Sequence, residues 1–257
     1  MFFSMPNDRD PRPPGFVDIH GHFLPGLDDG PATLEMAAHM CQAARLSGTA
    51  AVISTPHANS RFAFDPARTA RARAELQERV GGSFRVFSGS EVELSLDILP
   101  DALRSPASYT LNGSRYLLVE LMTGGMAPHL DRVFARILDQ GLVPVVAHPE
   151  RNAHLQSHPA RLRSWIERGC LAQLTAGALT GGFGRRVGSI ALEWIRLNLV
   201  HFVASDAHDP FRRPPRLLDA YLAVQRTFSP ARADLLFIHN PLAVLDDRPL
   251  RLGAGSE

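Results

Sequence analysis

Two histidines one residue apart, His20 and His22, close an apolar run (Phe16, Val17, Ile19), and Leu27-Asp28-Asp29-Gly30-Pro31 follows within one loop. Side chains at i and i+2 of an extended segment point the same way, so both imidazoles face one place. Imidazole nitrogens with carboxylate oxygens a loop away make a nitrogen-and-oxygen site for a divalent metal. More candidates recur down the chain: Thr55-Pro56-His57, Gly89-Ser90-Glu91, Val119-Glu120-Leu121, Ala147-His148-Pro149-Glu150-Arg151 and Ala204-Ser205-Asp206-Ala207-His208. Burying each of these carboxylates separately, without partners, would be costly, and a shared ion removes that cost.

The elements that must position these groups are short β-like runs at 16–20, 50–55, 84–94, 116–121, 143–147, 171–174 and 201–204. Acidic or imidazole residues close six of the seven. Between the first two runs, Leu34, Ala37, Ala38, Cys41 and Ala44 keep helical spacing, and Gly48 stands where a C-cap would. Residues 66–80 read as an Arg/Glu-rich helix with Glu75 and Arg79 spaced for an i, i+4 pair. Further helices are expected at 159–169, 187–197, 217–228 and 231–238, the first opening on Pro159 and burying Leu162, Trp165 and Ile166. Strands alternating with helices predict an α/β chain with a parallel barrel, whose chemistry gathers at the C-terminal ends of the strands.

On Asp18-Ile19-His20-Gly21-His22, the Asp-Asp-Gly run, Ser54-Thr55-Pro56-His57, His148-Pro149-Glu150-Arg151 and Ala204-Ser205-Asp206-Ala207-His208, the chain resembles the polymerase and histidinol phosphatase (PHP) superfamily. More narrowly it is similar to the capsule-associated, PHP-type protein-tyrosine phosphatases of bacteria. The resemblance spans roughly residues 16–213. It implies a distorted seven-stranded (β/α)7, TIM-like barrel with three metal ions. One ion would take His20, His22, Glu91 and Asp206; a second would share Glu91 and add Glu120 and His148; the third would take Asp29, His57 and His208. Mn²⁺ is the expected ion, with Mg²⁺, Fe or Zn²⁺ compatible with the donor set. Arg151 and Arg213 fall where the family holds phosphate, with Arg212 as the neighbouring register. The implied reaction is attack of metal-activated hydroxide on protein phosphotyrosine. Its substrate would be the cytoplasmic tail of a tyrosine kinase for capsule or exopolysaccharide synthesis. A small-molecule phosphatase such as histidinol phosphatase, and a silent PHP module that binds a kinase, are the competing readings.

Composition bounds the rest. At 257 residues and 45% hydrophobic, the chain can bury a large core. Residues 16–248 are read as one PHP domain, 1–15 as a flexible extension (Met5 is an alternative start) and 249–257 as a tail. The net charge of +1 gives no field toward nucleic acid or membrane. All 27 basic residues are Arg, which removes Schiff-base catalysis and lysine-dependent phosphate loops. Cys41 and Cys170 form no disulfide framework and neither begins a Cys-x5-Arg loop, so thiol-based phosphatase chemistry is unsupported. No signal peptide or membrane span is evident, and a cytoplasmic location is expected.

Several single residues carry expectations of their own. Asp18 is read as fixing a ligand histidine or as a plain strand-end aspartate, and Asp28 as a helix cap or loop-ordering residue. Glu150 would orient ligands or take part in proton transfer. Phe23, Phe62 and Phe64 could wall a slot for a phosphorylated ring, and residues 177–184 resemble a glycine-rich substrate loop. His39, His129, His154, His158, His201 and His239 match no ligand motif. The glycine pair Gly124-Gly125 is a departure from the narrower family.

Overall fold

The computed structural model describes residues 15–95, 97–122 and 129–250. Among them are nine strands: β1 (Phe16–Asp18), β2 (Thr49–Ser54), β3 (His57–Ala58), β4 (Arg85–Ser88), β5 (Glu91–Glu93), β6 (Tyr116–Glu120), β7 (Val143–Ala147), β8 (Leu171–Thr175) and β9 (Phe202–Ala204). Every ladder is parallel, in two sheets ordered β1-β2-β4 and β3-β5-β6-β7-β8-β9. The expected α/β class with parallel strands therefore holds, and the seven expected β-runs appear as nine strands paired in two sheets.

The difference arises at two breaks. The second run splits into β2 and β3 at Thr55-Pro56, and Pro56 has no amide hydrogen to give a ladder. The third splits into β4 and β5 at Gly89-Ser90, where a Cβ on Gly89 would lie 3.1 Å from the Leu111 backbone. Hydrogen bonds still cross both breaks, Gly89 N to Ser54 O at 2.9 Å and Glu91 N to Pro56 O at 3.1 Å. The outer edges of the two sheets meet at a parallel bridge between Gly21 and Ala207. There the His22 amide donates to Ala207 O (2.7 Å) and the Asp206 amide to His20 O (2.9 Å).

Both faces of the strands are buried, as parallel sheets require. Alternation sends Val17, Ile19, Ala51, Ile53, Leu118, Val145, Ala147, Phe202 and Ala204 into one cluster. Val119, Val146, Ala172, Leu174 and Val203 pack the other way, under helices that contribute Phe134, Trp165 and Trp194. The helix Leu34–Leu46 starts at Thr33, whose hydroxyl accepts from the Met36 amide, and buries Ala37, Met40, Cys41 and Ala44 on one face. Gly48 follows with φ +89°, a left-handed stop that glycine adopts without penalty. Asp65 caps Pro66–Val80 by accepting from Ala67 and Arg68. The anticipated Glu75–Arg79 pair is not made; Arg79 reaches across to Glu35 at 3.6 Å. The helix Pro159–Glu167 buries Leu162 and Trp165, with the Trp165 indole donating to Asp131 at 2.5 Å; Ile166 is only partly buried. The short helices Leu99–Arg104 and Pro106–Tyr109, between β5 and β6, had no counterpart in the sequence pattern.

Among the described residues no helix is long and apolar enough to cross a membrane. Residues 1–14, the Gly124-Gly125 pair and residues 251–257 lie outside the described residues.

Candidate metal centre

Strand ends deliver nine of the sequence-selected groups to one place. His20 and His22 follow β1, with Asp29 in the loop beyond; His57 opens β3 and Glu91 opens β5. Glu120 ends β6, His148 follows β7, and Asp206 and His208 follow β9. His148 (φ 32°) and Asp206 (φ 50°) both sit in the left-handed region, a conformation non-glycine residues keep only where surroundings over-determine it.

Glu91 Oε2 lies at the hub. It is 3.3 Å from His20 Nε2, 3.5 Å from His22 Nε2 and 3.1 Å from His57 Nδ1. Asp206 Oδ1 stands 3.5 Å from His20 Nε2 and 3.6 Å from His22 Nε2. Asp29 Oδ1 is 3.5 Å from His57 Nε2 and 3.4 Å from His208 Nε2. Glu120 approaches His57 Nδ1 at 3.8 Å and His148 Nε2 at 3.7 Å, while His148 Nε2 bonds the other Glu91 oxygen at 2.9 Å. Three sets have donor atoms mutually within 4.8 Å: His20/His22/Glu91, His22/Asp29/His57/His208 and His57/Glu91/Glu120. They overlap the partition expected from the sequence without reproducing it: His22 and His57 each serve two sets.

The decisive detail is which atoms lack partners. His20 Nε2, His22 Nε2, His57 Nδ1 and Glu91 Oε2 are all buried and none has a hydrogen bond. Orphaned buried polar atoms are uncommon and costly, and four aimed at one another fit a cation between them. The opposite ring nitrogens are held. Gln173 Oε1 lies 2.8 Å from His20 Nδ1 and its Nε2 donates to Leu174 O at 2.7 Å, which fixes the amide's orientation. His20 Nδ1 must therefore carry the proton, leaving a lone pair on Nε2. Asp28 Oδ2 does the same for His22, 2.6 Å from Nδ1, and accepts from the His57 amide at 3.0 Å. Gly30 is required for this packing, since a Cβ there would lie 2.7 Å from His22 O.

Asp28 is thus the loop-ordering residue, and the helix cap is Thr33. Asp18 meets His20 through the backbone amide, not the ring, and its Oδ1 also accepts from Ser205 N at 3.0 Å. Burial pushes Asp18 up to about 6.

Burial alone would raise Glu91 and Asp206; the surrounding imidazoles, with Arg213 beside Asp206, outweigh it and hold both well below the usual carboxylate range. Burial and the charge of Glu91 push Glu120 up to about 7. Burial opposes protonation of His22, but Asp206, Asp28 and Glu91 raise it well above 6.5. The carboxylates likewise raise His20 and His57, whereas burial lowers His148 and His208; a cation taking up His20, His22 and His57 would displace protons.

Arg151 Nη1 and Arg213 Nη2 both bind Asp206 Oδ2 at 2.5 Å. Arg212 does not bond Asp206: it is exposed, with its amide on Asp209. Glu150 is fully buried, accepts from Thr175 N at 2.9 Å and belongs to none of the three sets; burial pushes it up to about 7. Phe62 lies parallel to His57 with centroids 5.9 Å apart. Phe23 is core and walls nothing, and Phe64 packs on Tyr109. The glycine-rich stretch forms the short helix Ala176–Leu179 and the turn into Gly184–Arg196. The non-motif histidines stay outside the donor sets.

Sequence reasoning missed Gln173 and Phe183, the latter stacked under Arg151 with its ring centre 5.0 Å from the guanidinium carbon. A glutamine inside the buried strand Leu-Ala-Gln-Leu-Thr was the available signal for the first.

The CpsB/CapC capsular polysaccharide synthesis family model matches residues 16–246. The tyrosine-protein phosphatase YwqE of Bacillus subtilis (strain 168) is 32% identical over 216 residues, covering 82% of this chain and 85% of that protein. The tyrosine-protein phosphatase CpsB of Streptococcus agalactiae serotype III (strain NEM316) is 30% identical over 239 residues, covering 89% and 98%. A solved structure from work on YwqE of Bacillus subtilis and CpsB of Streptococcus pneumoniae, described as unique metal-dependent tyrosine phosphatases, superposes with a TM-score of 0.85. It shares 29% identity and covers 91% of this chain and 96% of that one. A β-aspartyl dipeptidase of Fervidobacterium islandicum AW-1 shares the fold at TM-score 0.56 and 14% identity, with 94% and 76% covered.

Proposed function

The chain belongs to the CpsB/CapC family of capsular polysaccharide synthesis, and from that membership we propose that it is a metal-dependent phosphatase of protein phosphotyrosine. The observation that carries the reading is the convergence of His20 Nε2, His22 Nε2, His57 Nδ1 and Glu91 Oε2, buried and without hydrogen bonds. His20, His22, Asp29, His57, Glu91, Glu120, His148, Asp206 and His208 would hold the ions, three in number and Mn²⁺ by preference. Residues 16–248 act as one unit, the two sheets serving as a single distorted seven-stranded barrel.

Bound divalent cations supply Lewis-acid polarisation of the phosphoryl group and activation of water. The chain's own residues do the rest. Gln173 and Asp28 hold the His20 and His22 rings so that Nε2 faces inward. Asp206 gathers Arg151 and Arg213 on one oxygen, which places two guanidinia beside the donor set. Each offers paired N–H groups to a phosphoryl oxygen and spreads the charge that builds during transfer. A phenol of pKa about 10 leaves far more readily than an alkyl alcohol, so an aryl ester depends little on a proton donor. The substrate is proposed to be a tyrosine kinase of capsule or exopolysaccharide export, met in the cytoplasm.

Initial rates on phosphotyrosine peptide, phosphoserine peptide and histidinol phosphate, each with Mn²⁺, test the assignment. Preference for phosphotyrosine supports it. Preference for histidinol phosphate would keep the metal site and replace the substrate. No turnover of any would leave a kinase-binding module.

A further inference from the structure

A cleft of about 430 Å³ opens directly from the Asp206–Arg213 pair, a size that accommodates a side chain and its neighbour. Phe183, the ring that supports Arg151, lines it. Gly177 and Gly182 also line it, and a side chain at either would crowd its neighbour. A Cβ on Gly177 would lie 3.1 Å from the Phe183 ring, and one on Gly182 3.2 Å from the Gly177 carbonyl that accepts the Gly182 amide. An ester whose phosphate rested on Arg151 and Arg213 would have the Phe183 ring and this cleft beside it.

Arg212 and Arg216 line the cleft as well. Both are exposed, and neither side chain has a hydrogen bond or ion pair among the described residues. Arg212 is presented by a fixed turn, because Asp209 Oδ1 accepts from Phe211 N at 2.7 Å and Arg212 N at 2.6 Å. Carboxylates in the cleft lining are Asp206, already engaged by Arg151 and Arg213, and Asp219. Arg212 also lies in the field of Asp209, so Arg151, Arg212, Arg213 and Arg216 stand against Asp206, Asp209 and Asp219 around the cleft, an excess of positive charge.

We propose that this cleft is a peptide subsite that selects substrates with acidic residues beside the phosphotyrosine, through Arg212 and Arg216. The inference rests on the phosphotyrosine reading above and adds the sequence preference that reading lacks. The test uses Mn²⁺-loaded protein and three substrates: p-nitrophenyl phosphate, a phosphotyrosine peptide flanked by glutamates, and the same peptide with glutamines. Exposed ion pairs are worth a few-fold each, so the acidic peptide should exceed the neutral one by about three- to tenfold in kcat/KM. The Arg212→Ala/Arg216→Ala protein should lose that preference while hydrolysing p-nitrophenyl phosphate within about twofold of wild type. That last rate reports folding and the intact centre. A wild type indifferent to peptide charge, or a double variant that keeps the preference, overturns the inference. Failure of the wild type on all three substrates overturns the phosphatase reading itself, and the subsite with it.

Discussion

Replacing Gln173 with leucine deletes the acceptor that fixes the His20 tautomer, in a place where water cannot take over because both residues are fully buried. The oxygen lost lies 2.8 Å from His20 Nδ1 and 3.4 Å from the His148 amide, so one substitution loosens two of the groups around Glu91. A buried N–H stripped of its acceptor costs about 1–3 kcal/mol. If that cost falls on metal binding it amounts to roughly 5- to 150-fold, bracketing the 10–100-fold typical of residues that orient ligand histidines. We expect Mn²⁺ affinity to fall by about 10–100-fold, read by calorimetric titration of chelator-stripped protein. Denaturant unfolding of the same metal-free samples separates a weaker fold from a weaker site. An affinity within twofold of wild type would refute the argument that the Gln173 amide presets His20 Nε2.

Two further outcomes follow from the same geometry. Arg213→Ala removes one of the two guanidinia on Asp206 Oδ2 and should lower kcat/KM for phosphotyrosine peptide by about 10²-fold. Mn²⁺ affinity should stay near wild type, so a titration alongside the rate assay separates phosphate recognition from metal binding. His201 lies outside the donor sets, buried, with its Nδ1 accepting from the Ala172 amide at 3.1 Å; burial, helped by Arg232, pushes it down to about 4. Between about 4 and 6.5 the folded chain thus binds fewer protons at this residue than the unfolded chain. Stability is present above 6.5 and lost as pH falls through that window, by up to about 1.4 kcal/mol per pH unit. His201→Asn keeps an acceptor oxygen and should flatten that part of the profile in denaturant titrations across the window; an unchanged slope would remove His201 as the cause.

The site was more legible than the frame that carries it. Metal-type residues announce themselves when each closes an apolar run, which is why His20, His57, Glu91, Glu120, His148 and Asp206 stood out and why the structure can bring them together. Two neighbouring aspartates offer no such contrast. Only the fold shows Asp28 turned toward the His22 ring and Asp29 toward His57 and His208. Gln173 reads in sequence as a polar interruption of a buried strand, and its role depends on a ring contributed by residue 20, far away along the chain. Phe183 sits in a glycine-rich stretch whose composition predicts a turn but not the cation above it. The strands failed differently. Hydrophobic runs give the presence of β structure, but the breaks at Pro56 and Gly89 depend on missing donors and close backbone approaches that a window average passes over. Phe23 shows a related ambiguity: beside a ligand loop a phenylalanine can wall a slot or complete packing, and here it is sealed in the core.

The central claim is that the donor set around Glu91 must hold metal for phosphotyrosine to be cleaved. Phosphate release from a phosphotyrosine peptide by chelator-stripped protein, titrated with Mn²⁺, tests it most directly. The stripped protein should show no turnover, with activity rising with Mn²⁺ to a plateau. Full turnover without metal, or a metal-saturated protein that leaves the peptide intact, would contradict it.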